Sequence, residues 1–280
     1  MGKIIFIASY KGGVGKTTVS AGIASALATM GQKVLVIDGD FHMRCMDLVL
    51  NSENDFIFDA LDVLLGRCDA SEAIIKDCGM RGLDFLPAPL NFEDDIETLS
   101  NAEMLIDSVK DEYDFVIIDS GADTPGIYDA FACYSDEGVV VTFQQSTAIR
   151  AAEVTAGKLA DKGIDSVRLV INSFRQSGVK KKELPGVFES VTRTGVPLLG
   201  VIPYDNKIIT YQEKGVLPFS RIKTFLEKYE AAYGNIALRL LGKKIPLFDN
   251  MGLFTLRKKY TQDTTEEQVY TRQDSKNEQN

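Results

Sequence analysis

Apolar residues gather in seven short runs, at 3–9, 33–38, 83–87, 115–119, 138–143, 167–172 and 198–203, separated by longer stretches of mixed polarity. Runs such as Val116-Ile117-Ile118 and Val139-Val140-Val141 are apolar at successive positions, so both faces of each strand must be buried. That is the pattern of a parallel sheet with helices over both sides rather than of a sheet with one wet face. Helical spacing of apolar residues predicts helices over 16–30, 57–65, 102–112, 148–162 and 220–241, with Gly31 where a C-terminal cap belongs. The alternation predicts an α/β fold with a doubly wound, mostly parallel sheet and ligands at the carboxyl ends of its strands. Residues 1–245 are expected to form this domain and 246–280 a tail.

Between the first strand and the first helix stands Lys11-Gly12-Gly13-Val14-Gly15-Lys16-Thr17-Thr18. Strand, glycine loop and helix start are the setting in which a phosphate-binding loop works. Gly12, Gly13 and Gly15 carry no side chains, so successive backbone N–H groups can curl around an anion, and the helix adds its own unpaired N–H groups. Lys16 would place a charge on the β- and γ-phosphates of a nucleotide, and the Thr17 hydroxyl would ligate Mg²⁺. The pattern G-x-x-x-x-G-K-[ST] asks for glycine at position 10, where this chain has Tyr10, and the loop carries a second lysine, Lys11.

The second strand run ends in Asp38-Gly39-Asp40, two carboxylates at alternate positions that suit Mg²⁺ and water positioning; a solvated turn is the alternative. Phe115-Val116-Ile117-Ile118-Asp119 has the form of a Walker B strand, whose terminal Asp119 would hold the Mg²⁺ shell through water. Ser120-Gly121-Ala122-Asp123 follows, where a glycine N–H could sense the γ-phosphate.

Lys11 with Lys16, Asp38-Gly39-Asp40 and Asp119 together resemble the MinD/ParA family of deviant Walker A ATPases, over most of residues 3–241. The likeness is closest to MinD-like septum-site-determining members at 34–50, where Arg44 and Met46-Asp47-Leu48 follow Asp40 in matching order. It continues at Ala73-Ile74-Ile75-Lys76-Asp77 and Gly200-Val201-Ile202-Pro203. The resemblance implies a three-layer P-loop NTPase fold, ATP and Mg²⁺ as ligands, and a catalytic set of Lys11, Lys16 and Asp40. Lys11 would reach across an ATP-dependent homodimer to the partner's phosphates, and Asp40 would orient the attacking water. The nucleotide would rest on residues 11–18, with Asn172, Pro203, Tyr204 and Asp205 around the adenine and Thr17, Asp38 and Asp119 around the metal. It implies an ATPase that is slow alone, a protein regulator, peripheral attachment to the inner face of the cell membrane, and division-site placement.

Three features depart from the family pattern. Ser120-Gly121-Ala122 replaces the usual Ser-Pro-Ala and is closer to the Thr-Gly-Ala of flagellar-number regulators. Ala151 follows Arg150 where an acidic residue is usual, with Glu153 nearby, and no C-terminal membrane helix stands out. A flagellar-number regulator, a ParA-type partitioning ATPase and a non-hydrolysing ATP-binding scaffold are the other readings. A metabolic enzyme would need acid–base groups for which the chain offers no candidates outside the ATP site.

Hydrophobic content of 45% and charged content of 25% describe an ordinary globular domain with an ample core, no apolar stretch approaches the 18 residues of a membrane span, and cysteines without metal spacing fit a reducing cytoplasm. Its N-terminus is not expected to be a targeting segment. The net charge of −9 argues against DNA binding by the whole surface. Lys180-Lys181-Lys182 reads as a solvated loop, so nucleic acid is not an expected partner. His42 is the only histidine, which removes His-based metal clusters and Ser-His triads. Cys45, Cys68, Cys78 and Cys133 lack metal spacing and are expected as free thiols, Cys133 as a buried small residue. On a helix over 251–260, Leu253, Leu256 and Tyr260 would share a face with Lys258 and Lys259 pointing away. That is the pattern of an interfacial membrane anchor; a helix packed on the ATPase or a frayed end are the alternatives. Residues 261–280 are almost wholly polar and predict a disordered tail.

Overall fold

Each of the seven apolar runs forms a strand: β1 (Lys3–Ala8), β2 (Val34–Gly39), β3 (Leu83–Leu86), β4 (Phe115–Ser120), β5 (Glu137–Thr142), β6 (Ser166–Phe174) and β7 (Leu198–Pro203). The computed structural model describes residues 2–92, 101–121, 126–220 and 226–247. The expected anchor at 251–260 and the polar tail at 261–280 lie outside the described residues, as do Ala122 and Asp123. These seven strands pair in parallel throughout, in the order β3-β2-β4-β1-β5-β6-β7. β1 lies between β4 and β5, with Ile5, Phe6, Ile7 and Ala8 sealed from solvent. The chain winds outward on both sides of β1, and the crevice left at the carboxyl ends of the central strands is where such folds bind ligands.

The described helices are α1 (Lys16–Thr29), α2 (Met46–Leu50), α3 (Ala60–Leu64), α4 (Ala70–Ala73), α5 (Ala102–Val109), α6 (Ile127–Ala132), α7 (Ser146–Asp161), α8 (Gln176–Lys180), α9 (Val187–Thr194), α10 (Asn206–Gln212) and α11 (Lys228–Leu240). The helix expected over 57–65 starts only at Ala60, because the Asp59 carboxylate caps the N–H groups of Leu61 and Asp62. Of the helix expected over 220–241, residues 221–225 lie outside the described residues, and α11 starts at Lys228, where Glu227 and Glu230 make a reciprocal cap. The one expected over 102–112 stops at Val109, and α7 begins two residues earlier than its apolar spacing indicated. The six helices that periodicity missed, α2, α4, α6, α8, α9 and α10, have eight residues or fewer, too short to display a helical repeat. Gly31 follows the C-cap Met30 with φ +83, as its position in the sequence implied.

Cys133 is exposed, contrary to expectation: it follows the last turn of α6, whose apolar positions Ile127, Tyr128, Phe131 and Ala132 already fill the inward face. All four cysteines are free thiols. No helix among the described residues is long and apolar enough to cross a membrane.

Helix α1 packs closely on α11, and α11 in turn on β7. Tyr233 of α11 is sealed from solvent with its hydroxyl 3.4 Å from the Thr18 carbonyl, and a Cβ at Gly22 would stand 2.3 Å from its ring. Helix α1 therefore accepts an interior glycine, at a cost of about 1 kcal/mol in propensity, to let the tyrosine approach. Further along α11, the Arg239 guanidinium donates to the Leu199 carbonyl at 2.8 Å and to the Pro246 carbonyl at 2.7 Å, tying residues beyond the helix to the sheet. Gly22→Ala should lower unfolding free energy by about 1–3 kcal/mol despite alanine's better helix propensity. Urea unfolding of the two proteins measures this; an unchanged or raised midpoint would show that α11 shifts freely.

Candidate functional site

The loop from Ser9 to Gly15 leaves β1 at its carboxyl end and turns directly into α1. Gly13 and Gly15 take φ of +75 and +87, backbone that residues with a Cβ rarely adopt. At Gly12 and Gly13, both exposed, a Cβ would meet no atom within 4 Å, so the crest of the loop is open. Val14 is the plug beneath it, 2% exposed, and its carbonyl accepts a 2.9 Å hydrogen bond from the Asn172 amide at the end of β6. A Cβ on Gly15 would stand 2.5 Å from that same amide nitrogen, so only glycine fits without moving Asn172. Gly15 is also the N-cap of α1 and offers no side chain to its first N–H groups. The result is a concave, side-chain-free surface at the positive end of a 14-residue helix, which is a cradle for an anion.

Beside the cradle, parallel pairing of β2 and β4 sets Asp38 opposite Asp119. Both side chains are cut off from water. Asp119 accepts from the Ser20 hydroxyl at 2.8 Å, while Thr17 and Lys16 stand near enough to favour its charged form. Burial still outweighs these and lifts the Asp119 carboxyl from 3.8 to about 6. Asp38 is also pushed well above the usual carboxylate range, first by burial and then by the Asp119 charge. Its two oxygens accept the backbone N–H groups of Asp40 at 3.0 Å and Met46 at 3.1 Å, pinning both ends of the loop that carries Asp40. Asp40 is half-buried at the start of that loop; its carboxylate accepts from the Met43 N–H at 3.1 Å. Arg44, at φ +40, closes the turn on the Asp40 carbonyl and is paired with Asp47 at 2.7 Å.

On the other side of the cradle lies a cleft of about 430 Å³, lined by Gly13, Val14, Gly15, Thr18, Asn172, Tyr204 and Asp205 among others. Of the four residues expected around a base, Asn172, Tyr204 and Asp205 face it; Pro203 ends β7 and is not part of its lining. The Arg175 guanidinium stacks on the Tyr204 ring at 3.9 Å. Gln144 accepts from the Arg175 N–H at 2.5 Å and donates to the Pro185 carbonyl at 2.8 Å, holding that wall in place. Gln212 of α10 is hydrogen-bonded to the Thr18 hydroxyl at 2.9 Å. The Asp205 carboxylate caps α10 through the Lys207 N–H at 2.9 Å. Lys11 is half-buried and lies outside the cleft lining, at the loop's other end.

Ser20, Gln144, Arg175 and Gln212 were not singled out from the sequence. Ser20 was legible in principle, since it lies one helical turn from Thr17 on the same face. Arg175 was hidden by an irregularity: the β6–β7 register shifts between Ile171 and Phe174, and Ser173 takes φ +51. No three His, Cys, Asp or Glu side chains among the described residues converge as a self-sufficient metal site. The donors present are a hydroxyl and two carboxylates that lack enough positive charge. That set fits a hard cation sharing its shell with phosphate oxygens and water.

Because Asp119 keeps its proton to about pH 6 when folded and loses it near 3.8 when unfolded, stability of the free protein should fall as pH rises through that window. Above it the penalty is constant, on the order of 3 kcal/mol. Asp119→Asn should therefore raise the unfolding midpoint at pH 7.5 and bring little change at pH 4, as read by denaturant titration across pH. An equal effect at both pH values would contradict this.

A family model described as an AAA domain matches residues 2–172. The septum site-determining protein MinD of Synechocystis is 35% identical over 251 residues, covering 90% of this chain and 94% of that protein. Among solved structures, the MinC:MinD cell division protein complex of Aquifex aeolicus matches with a TM-score of 0.78 and 31% identity over 88% of this chain and 98% of that one. MinD of Pyrococcus horikoshii, solved with Mg-ADP, matches with a TM-score of 0.75 and 28% identity over 86% and 96%. By sequence, strand order and loop together, the chain belongs to the MinD/ParA family of P-loop ATPases.

Proposed function

We propose that this ATPase is a nucleotide-controlled switch in division-site placement, assembled as a dimer by MgATP and dissolved by hydrolysis. The observation that carries the reading is the meeting of an open anion cradle with Thr17 and the buried Asp119 at one point. In it, the N–H groups of 12–16 and the Lys16 ammonium hold the β- and γ-phosphates. Thr17 and Asp119 face the metal, which when bound supplies charge neutralisation for phosphoryl transfer. Asp38 fixes the 40–46 loop from beneath, and Asp40 orients the water that attacks the γ-phosphate. Lys11, free of the cleft, reaches the phosphates of a second copy and adds positive charge as the transition state forms, in the manner of an arginine finger without its planar fork. Tyr204, Asp205 and Asn172 flank the base. The Mg-ADP of the Pyrococcus horikoshii relative supports the ligand assignment, and the MinC:MinD complex of the Aquifex relative supports a protein partner.

Light scattering after size exclusion tests the switch. Asp40→Ala should be dimeric with ATP and monomeric with ADP, whereas Lys16→Ala should be monomeric with both, because the charge on the phosphates is lost. A monomeric Asp40→Ala protein at saturating ATP would remove the dimer from the account. Turnover below background in every condition would favour a scaffold instead.

Membrane attachment is proposed to run through 251–260, with two copies in the dimer raising a weak apolar contact to useful strength. With ATP, the full chain should sediment with anionic vesicles and a truncation after Pro246 should not. Equal sedimentation of both would contradict the anchor.

A further inference from the structure

The position where the phosphate-loop pattern asks for glycine carries an aromatic side chain anchored on two neighbouring helices. The Tyr10 ring is packed 5.6 Å from the ring of Tyr128 on α6, itself 3% exposed and edge-on to Phe6 of β1 at 4.8 Å. On its other side the Lys158 ammonium of α7 sits 3.7 Å from the Tyr10 ring centre, a cation–π contact. The Tyr10 backbone N–H donates at 3.1 Å to the hydroxyl of Thr155, a fully buried residue one turn earlier on α7. The next N–H, that of Lys11, donates to the Ser9 hydroxyl at 3.2 Å. Beyond Lys11 the crest at Gly12 and Gly13 is exposed, with no atom within 4 Å of where a Cβ would stand, and the next grip on the loop is that of Asn172 on the Val14 carbonyl.

The geometry points to Tyr10 as the positioning residue for Lys11. The loop is held at two places, and Lys11 belongs to the first, one residue from the clamp made by Tyr128, Thr155 and Lys158. The second grip, on Val14, shapes the cradle for the triphosphate and does not depend on Tyr10. Glycine at position 10 would keep the main-chain bond to Thr155 but lose the ring contacts with Tyr128 and Lys158, loosening the backbone that sets the direction of the Lys11 side chain while leaving the cradle intact. Tyr10 thus acts on the step that needs Lys11 and not on nucleotide binding itself. This inference rests on the reading of Lys11 as the group that reaches the partner's phosphates.

The test compares Tyr10→Gly, Tyr10→Phe, Lys158→Met, Lys11→Ala and the Tyr10→Gly/Lys11→Ala pair for ADP affinity, ATP-dependent dimer formation and turnover. Tyr10→Gly should keep ADP affinity within about threefold and lose about ten- to hundredfold in turnover, with matching loss of the dimer, as displacement of a reacting group does. Tyr10→Phe keeps the ring and should stay within about twofold of the parent, and Lys158→Met should shift in the direction of Tyr10→Gly by a smaller factor. The double variant should be no worse than Lys11→Ala alone, because both remove one function. If Tyr10→Gly does not fold, as circular dichroism would reveal, the Lys158→Met result decides: unchanged turnover and dimer overturn the proposal. Tyr10→Gly with parental turnover, with ADP affinity lost in proportion, or with effects additive to Lys11→Ala overturns it while the reading of Lys11 stands. Full activity and dimerisation of Lys11→Ala would overturn both.

Discussion

Two carboxylates face each other at the ends of adjacent strands, out of reach of water, and the chemistry of this fold follows from how that charge is managed. Removing an ion from water costs several kcal/mol, and two neighbouring anions make the cost worse. The protein offsets part of it from within: Ser20 donates to Asp119, the backbone of Asp40 and Met46 donates to Asp38, and Thr17 and Lys16 stand close by. The offset is incomplete, as the raised protonation range of both acids records. What the arrangement lacks is positive charge, which in the proposed function a divalent cation carried in with phosphate would supply.

The same carboxylates connect the site to the elements around it. Asp38 spends its oxygens on the loop that carries Asp40, so the geometry of that loop is set by a residue on β2 rather than by the loop itself. Thr17 and Ser20 lie on α1, and the carbonyl of Thr18 receives the hydroxyl of Tyr233 from α11. Helix α11 is in turn fixed to β7 through Arg239, which also grips Pro246, near the point where the chain leaves the described domain. The phosphate cradle is therefore joined by packed side chains to the base of the C-terminal segment.

The sheet was legible in the sequence because strands buried on both faces leave unbroken apolar runs, and all seven were found. The cradle and the carboxylates were legible for a different reason: their chemistry demands particular residues at fixed spacing, Gly12 to Thr17 and Asp38 to Asp40. Helix limits were less visible, since Asp59 and Glu227 set them through capping rather than through apolar periodicity. The wall of the cleft was least visible. Gln144, Arg175 and Gln212 come from three separate connections, and a register shift in β6 turns Arg175 into place. Cys133 was misplaced because the apolar count of α6 was already complete without it.

In the proposed function, Asp119 and its neighbours form an anionic pocket that a cation arriving with nucleotide would complete. Calorimetric titration of ADP, with Mg²⁺ and with EDTA, measures it most directly in the parent protein and in Asp119→Asn. Mg²⁺ should strengthen ADP binding to the parent by about tenfold or more, and most of this gain should be absent from Asp119→Asn. Equal affinity with and without Mg²⁺ in the parent, or an undiminished gain in the variant, would contradict it.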